Sequence, residues 1–192
     1  MHEASEGLPM RQLIDIPSCV PAVPGLEHAG AEFGPEAIEE LAKLERVVGL
    51  AEVMDYLDVI HGGDRMMDII RTAEDHGLYL QGHAPFVEGR MLSAYLCGGP
   101  NTCHESRTAE EALEKMRSGM RVDAREADDI LHNGHINDVV RAAIRYCMEP
   151  VAAIKSATLN SAGEAGLQNL GAIAPGYAAD MLLVDDLREL TP

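Results

Sequence analysis

Three residues of metal-ligand type stand at equivalent places in the chain. Glu52 closes Val47-Val48-Gly49-Leu50-Ala51, a fully apolar run of the kind buried on both faces of a parallel sheet. His83 follows the apolar run from Leu78 to Leu80, which Gln81-Gly82-His83-Ala84-Pro85 stops with glycine and proline. His104 follows the short Asn101-Thr102-Cys103. Each run is succeeded by a helix-like segment, so the three residues end three successive strands, and neighbouring parallel strands lie about 4.8 Å apart. A carboxylate and two imidazoles meeting there are ordinary ligands for Zn²⁺, Fe²⁺ or Mn²⁺. One histidine alone is more often a satisfied polar residue than a ligand; the repetition at the same point of consecutive units is what carries the signal. Glu105 beside His104 reads either as a proton carrier or substrate contact, or as an exposed carboxylate at a helix start. His135 reads as a residue in the first turn of a helix, and Cys103 as a soft metal ligand or, more commonly for its type, a buried small side chain.

The elements that must position these residues alternate strand and helix. Leu13-Ile14-Asp15-Ile16 is a strand candidate ended by Pro17, and the proline-rich segment after it reads as a long loop. Gly34-Pro35 opens a helix with Ile38, Leu41 and Leu44 on its buried stripe. Asp64 is expected to cap a helix bearing Met66, Met67, Ile70 and Ala73, with Gly77 as its stop. Met91, Leu92, Tyr95 and Leu96 recur at helical spacing up to Gly98-Gly99-Pro100. Thr108 and Glu111 have capping-box spacing at the start of a helix ending at Gly119, and Met120 to Ala124 is a fifth strand candidate. Two helices follow, from Asp128 and from Pro150, and two short apolar runs around Pro175-Gly176 are expected to form a β-hairpin. This order predicts an α/β fold with a parallel sheet and right-handed crossovers, either doubly wound or a (β/α)8 barrel; a barrel needs eight such units.

Bulk composition removes several function classes. With 32 acidic against 15 basic residues and a formal charge of −17 in 192 residues, the chain has no basic stripe for a nucleic-acid partner. No apolar run approaches the roughly 20 residues of a membrane span, so no membrane partner is expected. The N-terminal MHEASEGLPMRQ lacks signal-peptide regions, and four cysteines without CxxC pairing suit a reducing compartment, so a cytoplasmic location is expected. There is no P-loop, GxGxxG or GxSxG segment.

Several segments, taken in order, resemble the adenine deaminases of the amidohydrolase superfamily: PSCVPA (17–22), VVGLAEVM (47–54), GHAP (82–85), HE (104–105), EEALEKMRSGM (110–120), GHI (134–136) and LGAIAPGYAAD (170–180). The likeness runs over almost the whole chain. It implies a divalent-metal-dependent aminohydrolase acting on a small purine base, adenine, to give hypoxanthine and ammonia. It also implies a (β/α)8 barrel carrying a small β-sandwich domain, with residues 1–160 an incomplete barrel and 161–192 a piece of the sandwich. By the same resemblance Glu52, His83 and His104 are metal ligands, Fe, Mn and Zn all remaining open as the ion. Glu105 and Glu52 are the catalytic carboxylates, and Ser18 and His135, in matched segments, are substrate-binding residues.

Complete family members also carry a His-x-His pair on the first strand and an aspartate ending the eighth. This chain has no such pair, and Asp128 or Asp129 matches a position after that aspartate. Cys103 and Gln81 stand where the family commonly has aspartate. The chain is therefore expected to be an abbreviated member and a homo-oligomer. The alternative is a catalytically incompetent remnant or interaction module that self-associates through sheet edges and apolar surface.

Overall fold

A computed structural model describes residues 2–8, 10–123 and 135–191, and the chain divides into two compact units, Met1–Ala124 and Arg125–Pro192. In the first unit β1 (Ile14–Pro17), β2 (Val47–Val53) and β3 (Tyr79–Gly82) form a parallel sheet in that order. A second parallel pair joins β4 (Thr102–Cys103) to β5 (Arg121–Val122). Helices α1 (Pro35–Leu41), α2 (Tyr56–His61), α3 (Asp64–Asp75), α4 (Gly89–Cys97) and α5 (Ala109–Arg117) fill the connections. This is an α/β architecture with parallel strands, as the alternation of elements requires.

Strand periodicity decides which face carries the core. Ile16, Leu50 and Leu80 stand in register across β1, β2 and β3 and are all buried. They join Ile38 of α1 and Met66, Ile69, Ile70 and Ala73 of α3 in one apolar cluster. On the opposite face Asp15, Gly49 and Tyr79 are in register. The Tyr79 hydroxyl reaches across β2 to both oxygens of Asp15, each at 3.0 Å, and receives a bond from Gln81 Nε2 at 3.1 Å. Gly49 leaves room for that bridge: a Cβ there would lie 2.7 Å from the Tyr79 ring and 2.8 Å from Asp15 Oδ1. Burial raises the Asp15 carboxyl above its ordinary range, with the tyrosine bond working the other way.

Local chemistry accounts for most helix limits. Pro35 begins α1, and Gly77, in the left-handed region, follows the end of α3. Asp64 does not cap α3; Gly63 holds that place and Asp64 sits in the first turn, where its charge favours the helix dipole. The added helix α2 was not expected from apolar spacing. Its signals are polar: the Asp55 carboxylate accepts from the Asp58 N–H at 3.3 Å, and Gly62 ends it with φ 67°.

The second unit contains α6 (Ile136–Arg145) and α7 (Pro150–Lys155), the latter running through a π-helical turn, Ser156–Asn160, into α8 (Ser161–Glu164). Glu149 caps α7 by accepting from the Ala152 N–H at 2.8 Å. Val140, Ile144, Ala153 and Leu190 form a small core. The hairpin expected around Pro175-Gly176 is not formed, since residues 171–191 contain no strand. Ile173 and Leu183 are each 90 % exposed. An isolated two-stranded hairpin is marginal without a further layer to cover its apolar face. None of the described helices is long and apolar enough to cross a membrane.

Candidate metal centre

The site begins where β2 loses its regular register between Leu50 and Val53. Glu52 lies in this irregular step with φ 40°, a left-handed conformation that costs a non-glycine residue about 1–3 kcal/mol. Ser18 holds the step: its Oγ donates to the Ala51 carbonyl at 3.0 Å and the Glu52 carbonyl at 2.7 Å. The serine proton is thus committed to the backbone of the carboxylate's own strand.

Tyr95 on α4 supplies the second constraint. Its hydroxyl donates to the Val53 carbonyl at 2.9 Å and accepts from the His83 N–H at 3.1 Å, in a place with no solvent exposure. Burial pushes the phenol well above its usual value, so it stays a neutral donor and acceptor. The third constraint joins β3 to β4. The Gly82 N–H donates to Thr102 Oγ1 at 3.0 Å, and a Cβ at Gly82 would lie 2.1 Å from the Thr102 carbonyl oxygen. Only glycine lets the two strands approach this closely.

These constraints bring Glu52, His83 and His104 together, with ligand atoms within 4.8 Å of one another. Glu52 Oε2 is 3.6 Å from His83 Nδ1, Glu52 Oε1 is 3.6 Å from His104 Nε2, and the two ring nitrogens are 3.3 Å apart. Carboxylate and imidazole donors bound at 2.0–2.2 Å to a tetrahedral ion stand about 3.3–3.6 Å apart. The nitrogen–nitrogen edge and each nitrogen–oxygen edge fall near this range, with each imidazole facing its own oxygen of Glu52, so the three side chains converge on one place that could hold a divalent ion. The imidazoles meet edge to face at 75°, so their nitrogens converge without ring stacking. Glu52 is 43 % exposed against 18 % and 14 % for the histidines, which opens the site to solvent on the carboxylate side.

Glu105 stands beside this triangle, with Oε1 3.9 Å from His104 Nε2 and Oε2 3.6 Å from Arg107 Nη2. Its side chain is mostly buried, unlike an ordinary carboxylate at a helix start. Arg107 also lies over the Phe86 ring, 5.9 Å from its centroid. His135 belongs to the second unit, immediately before α6, where its N–H donates to Asp138 Oδ2 at 3.3 Å. Asp128 and Asp129 lie outside the described residues.

Sequence reasoning missed other participants. Asp123 follows β5, and its N–H donates to the Cys103 carbonyl at 3.0 Å. Desolvation raises its carboxyl, against the opposing charges of His104 and Arg121. The strand-end rule that selected the histidines selects Asp123 as well. Helical spacing puts Tyr95 on an apolar stripe, where its ring does lie; the buried hydroxyl is the part that periodicity does not report. Its spacing from Thr108 puts Glu111 in a capping box. Thr108 Oγ1 does accept from the Glu111 N–H at 3.1 Å, but the Glu111 carboxylate turns inward and meets Lys115 Nζ at 2.6 Å. Cys103 is fully buried, as expected, and Lys115 Nζ lies 3.3 Å from its sulfur.

Comparison with known proteins points the same way as the geometry. Residues 100–192 match the amidohydrolase family. The chain is similar to the adenine deaminase of Petrotoga mobilis, 40 % identical over 205 residues that take in 91 % of this chain and 35 % of the relative. The adenine deaminase of Methanothermobacter thermautotrophicus is 39 % identical, with 98 % and 39 % covered. That of Staphylothermus marinus is 34 % identical over 226 residues, with 99 % and 37 % covered. The chain thus spans somewhat over a third of the length of these curated relatives. Alignments longer than the chain's own 192 residues pass over positions in the relatives that have no counterpart between its matched segments.

Proposed function

We propose that the chain is a member of the amidohydrolase family that it matches over residues 100–192, and that it serves the metal-dependent hydrolysis of adenine to hypoxanthine and ammonia. The observation that carries this reading is the convergence of Glu52, His83 and His104, whose ligand atoms lie within 4.8 Å of one another. In the proposal these three residues hold a divalent ion, with Fe²⁺, Mn²⁺ and Zn²⁺ all suited to the donor set. When bound, the ion supplies Lewis-acid activation of water at neutral pH.

The chain's own groups do the rest. Glu105 Oε1, beside His104, takes a proton from the attacking water and passes it to the departing ammonia. Arg107 steadies the other carboxylate oxygen. Glu52 serves both as ligand and as second carboxylate. Ser18 and His135 lie in segments shared with the family and are assigned to the substrate side, Ser18 acting through the Glu52 carbonyl it holds.

The same reading takes the five parallel strands as part of a (β/α)8 barrel over residues 1–160, with 161–192 a piece of a β-sandwich domain. A homo-oligomer supplies the cover that an incomplete barrel lacks. Four free cysteines support a cytoplasmic location. The self-associating remnant is favoured by one specific feature: Ile173, Leu183 and Tyr146 of the second unit are all at least 85 % exposed.

Metal content of the purified chain, measured by mass spectrometry beside the His83→Ala/His104→Ala variant, tests the centre. One ion per chain, lost in the variant, together with falling adenine absorbance and released ammonia, is the expected result. No uptake of Fe²⁺, Mn²⁺ or Zn²⁺ after reconstitution would refute the reading and leave the self-associating module, which sedimentation equilibrium detects.

A further inference from the structure

We propose that Glu111 and Lys115 are positioning residues for the candidate metal centre: one buried ion pair on α5 ties the loop after His83 and the loop after His104 to the same helix, and so sets the spacing of the two imidazoles. The inference rests on reading Glu52, His83 and His104 as a metal centre.

Both side chains are essentially without solvent exposure, at 1 % and 0 %. Their bonds are shared between the two sides. On the His83 side, Glu111 Oε1 accepts from the Phe86 N–H at 2.8 Å, and Lys115 Nζ donates to the Ala84 carbonyl at 2.8 Å. On the His104 side, Glu111 Oε2 accepts from the Arg107 N–H at 2.9 Å, and Lys115 Nζ approaches Cys103 Sγ at 3.3 Å and Ser106 Oγ at 3.5 Å. The contacts thus fall one and three residues beyond His83, and at one residue before and two and three residues beyond His104. The carboxylate and ammonium bond each other at 2.6 Å, which fixes one loop relative to the other.

A buried ion pair is a poor means of gaining stability, because two desolvated charges return little more than they cost. Apolar side chains of similar volume would fill the space as well. They could not accept two backbone N–H groups and donate to a carbonyl on two different loops. Groups that orient metal ligands through their hydrogen bonds typically change metal affinity about 10–100-fold when altered.

The test uses the full chain, first ion-free and then titrated with Co²⁺. Glu111→Gln keeps the side-chain volume but exchanges one acceptor oxygen for an amide nitrogen that cannot receive a backbone N–H, so one of the two loop ties is lost. The imidazole NMR resonances of His83 and His104 in ion-free Glu111→Gln should shift and broaden while those of His61 and His76 stay in place. Co²⁺ affinity, read from visible absorption, should fall about 10–100-fold. Unchanged His83 and His104 resonances in the folded, ion-free variant would overturn the proposal, whether or not the wild type binds Co²⁺. A wild type that takes up no Co²⁺ would overturn the metal reading instead, and the imidazole result would still decide the pair. If Glu111→Gln does not fold, amide exchange in the wild type decides: exchange at Phe86 and Arg107 as slow as in the β2–β3 ladder supports the clamp, and exchange at loop rates overturns it.

Discussion

Replacing Tyr95 by phenylalanine removes one oxygen and nothing else from the packed core of the first unit. That oxygen donates to the Val53 carbonyl at 2.9 Å and accepts from the His83 N–H at 3.1 Å. Each bond contributes about 0.5–1.5 kcal/mol net, and an unsatisfied buried partner costs about 1–3 kcal/mol. Tyr95 has no solvent exposure, so water does not reach the two orphaned groups in the intact fold. The expected loss is therefore near the upper end for two bonds, about 2–3 kcal/mol. With a urea slope of about 2 kcal/mol per M, the midpoint should fall by about 1–1.5 M. Urea titration followed by far-UV circular dichroism measures this on the ion-free chain. The same change frees the backbone beside Glu52 and at His83, so Co²⁺ binding should weaken about tenfold. A midpoint within about 0.2 M of wild type, on an unchanged slope, would show that the hydroxyl does not carry the two backbone groups. β2 and β3 would then be fastened at the site by other contacts.

Other substitutions probe separate contacts of the fold. Gly82→Ala places a Cβ 2.1 Å from the Thr102 carbonyl oxygen and should cost about 3 kcal/mol or more, seen as loss of soluble folded protein. Thr108→Ala removes the acceptor of the Glu111 N–H and should cost about 1 kcal/mol in the same urea assay. Burial holds the Asp15 carboxyl above its unfolded value, so its proton is bound more tightly in the fold and stability falls as pH climbs through the carboxylate range. Asp15→Asn should therefore gain on wild type at neutral pH and show no gain in acid. Glu111 has the opposite sign. Burial works against its charge, but bonds from Lys115, Arg107 N–H and Phe86 N–H together lower its value. Its contribution is complete above the ordinary carboxylate range and is lost as pH falls through the lowered value, so acid melts of wild type and Glu111→Gln should converge.

The sequence sets the alternation of strand and helix, because apolar period and glycine–proline punctuation are local properties. It also selected Glu52, His83 and His104 as strand-end residues, since parallel connection puts every such end on one side of a sheet. What it did not hold was the use made of polar groups on elements read as apolar or exposed. Helical spacing gave Tyr95 as core, while only the packing of α4 against β2 and β3 aimed its hydroxyl at two backbone groups. Capping-box spacing gave Glu111 a surface duty, while the approach of two loops to α5 turned its carboxylate inward. The tail hairpin failed for a related reason: its two apolar runs carry the right local pattern, but the described residues of the second unit include no strand to bury the face that the pattern implies. Tertiary structure decided these points because a hydrogen-bonding partner or a buried face exists only once distant segments meet, and no local period encodes that meeting.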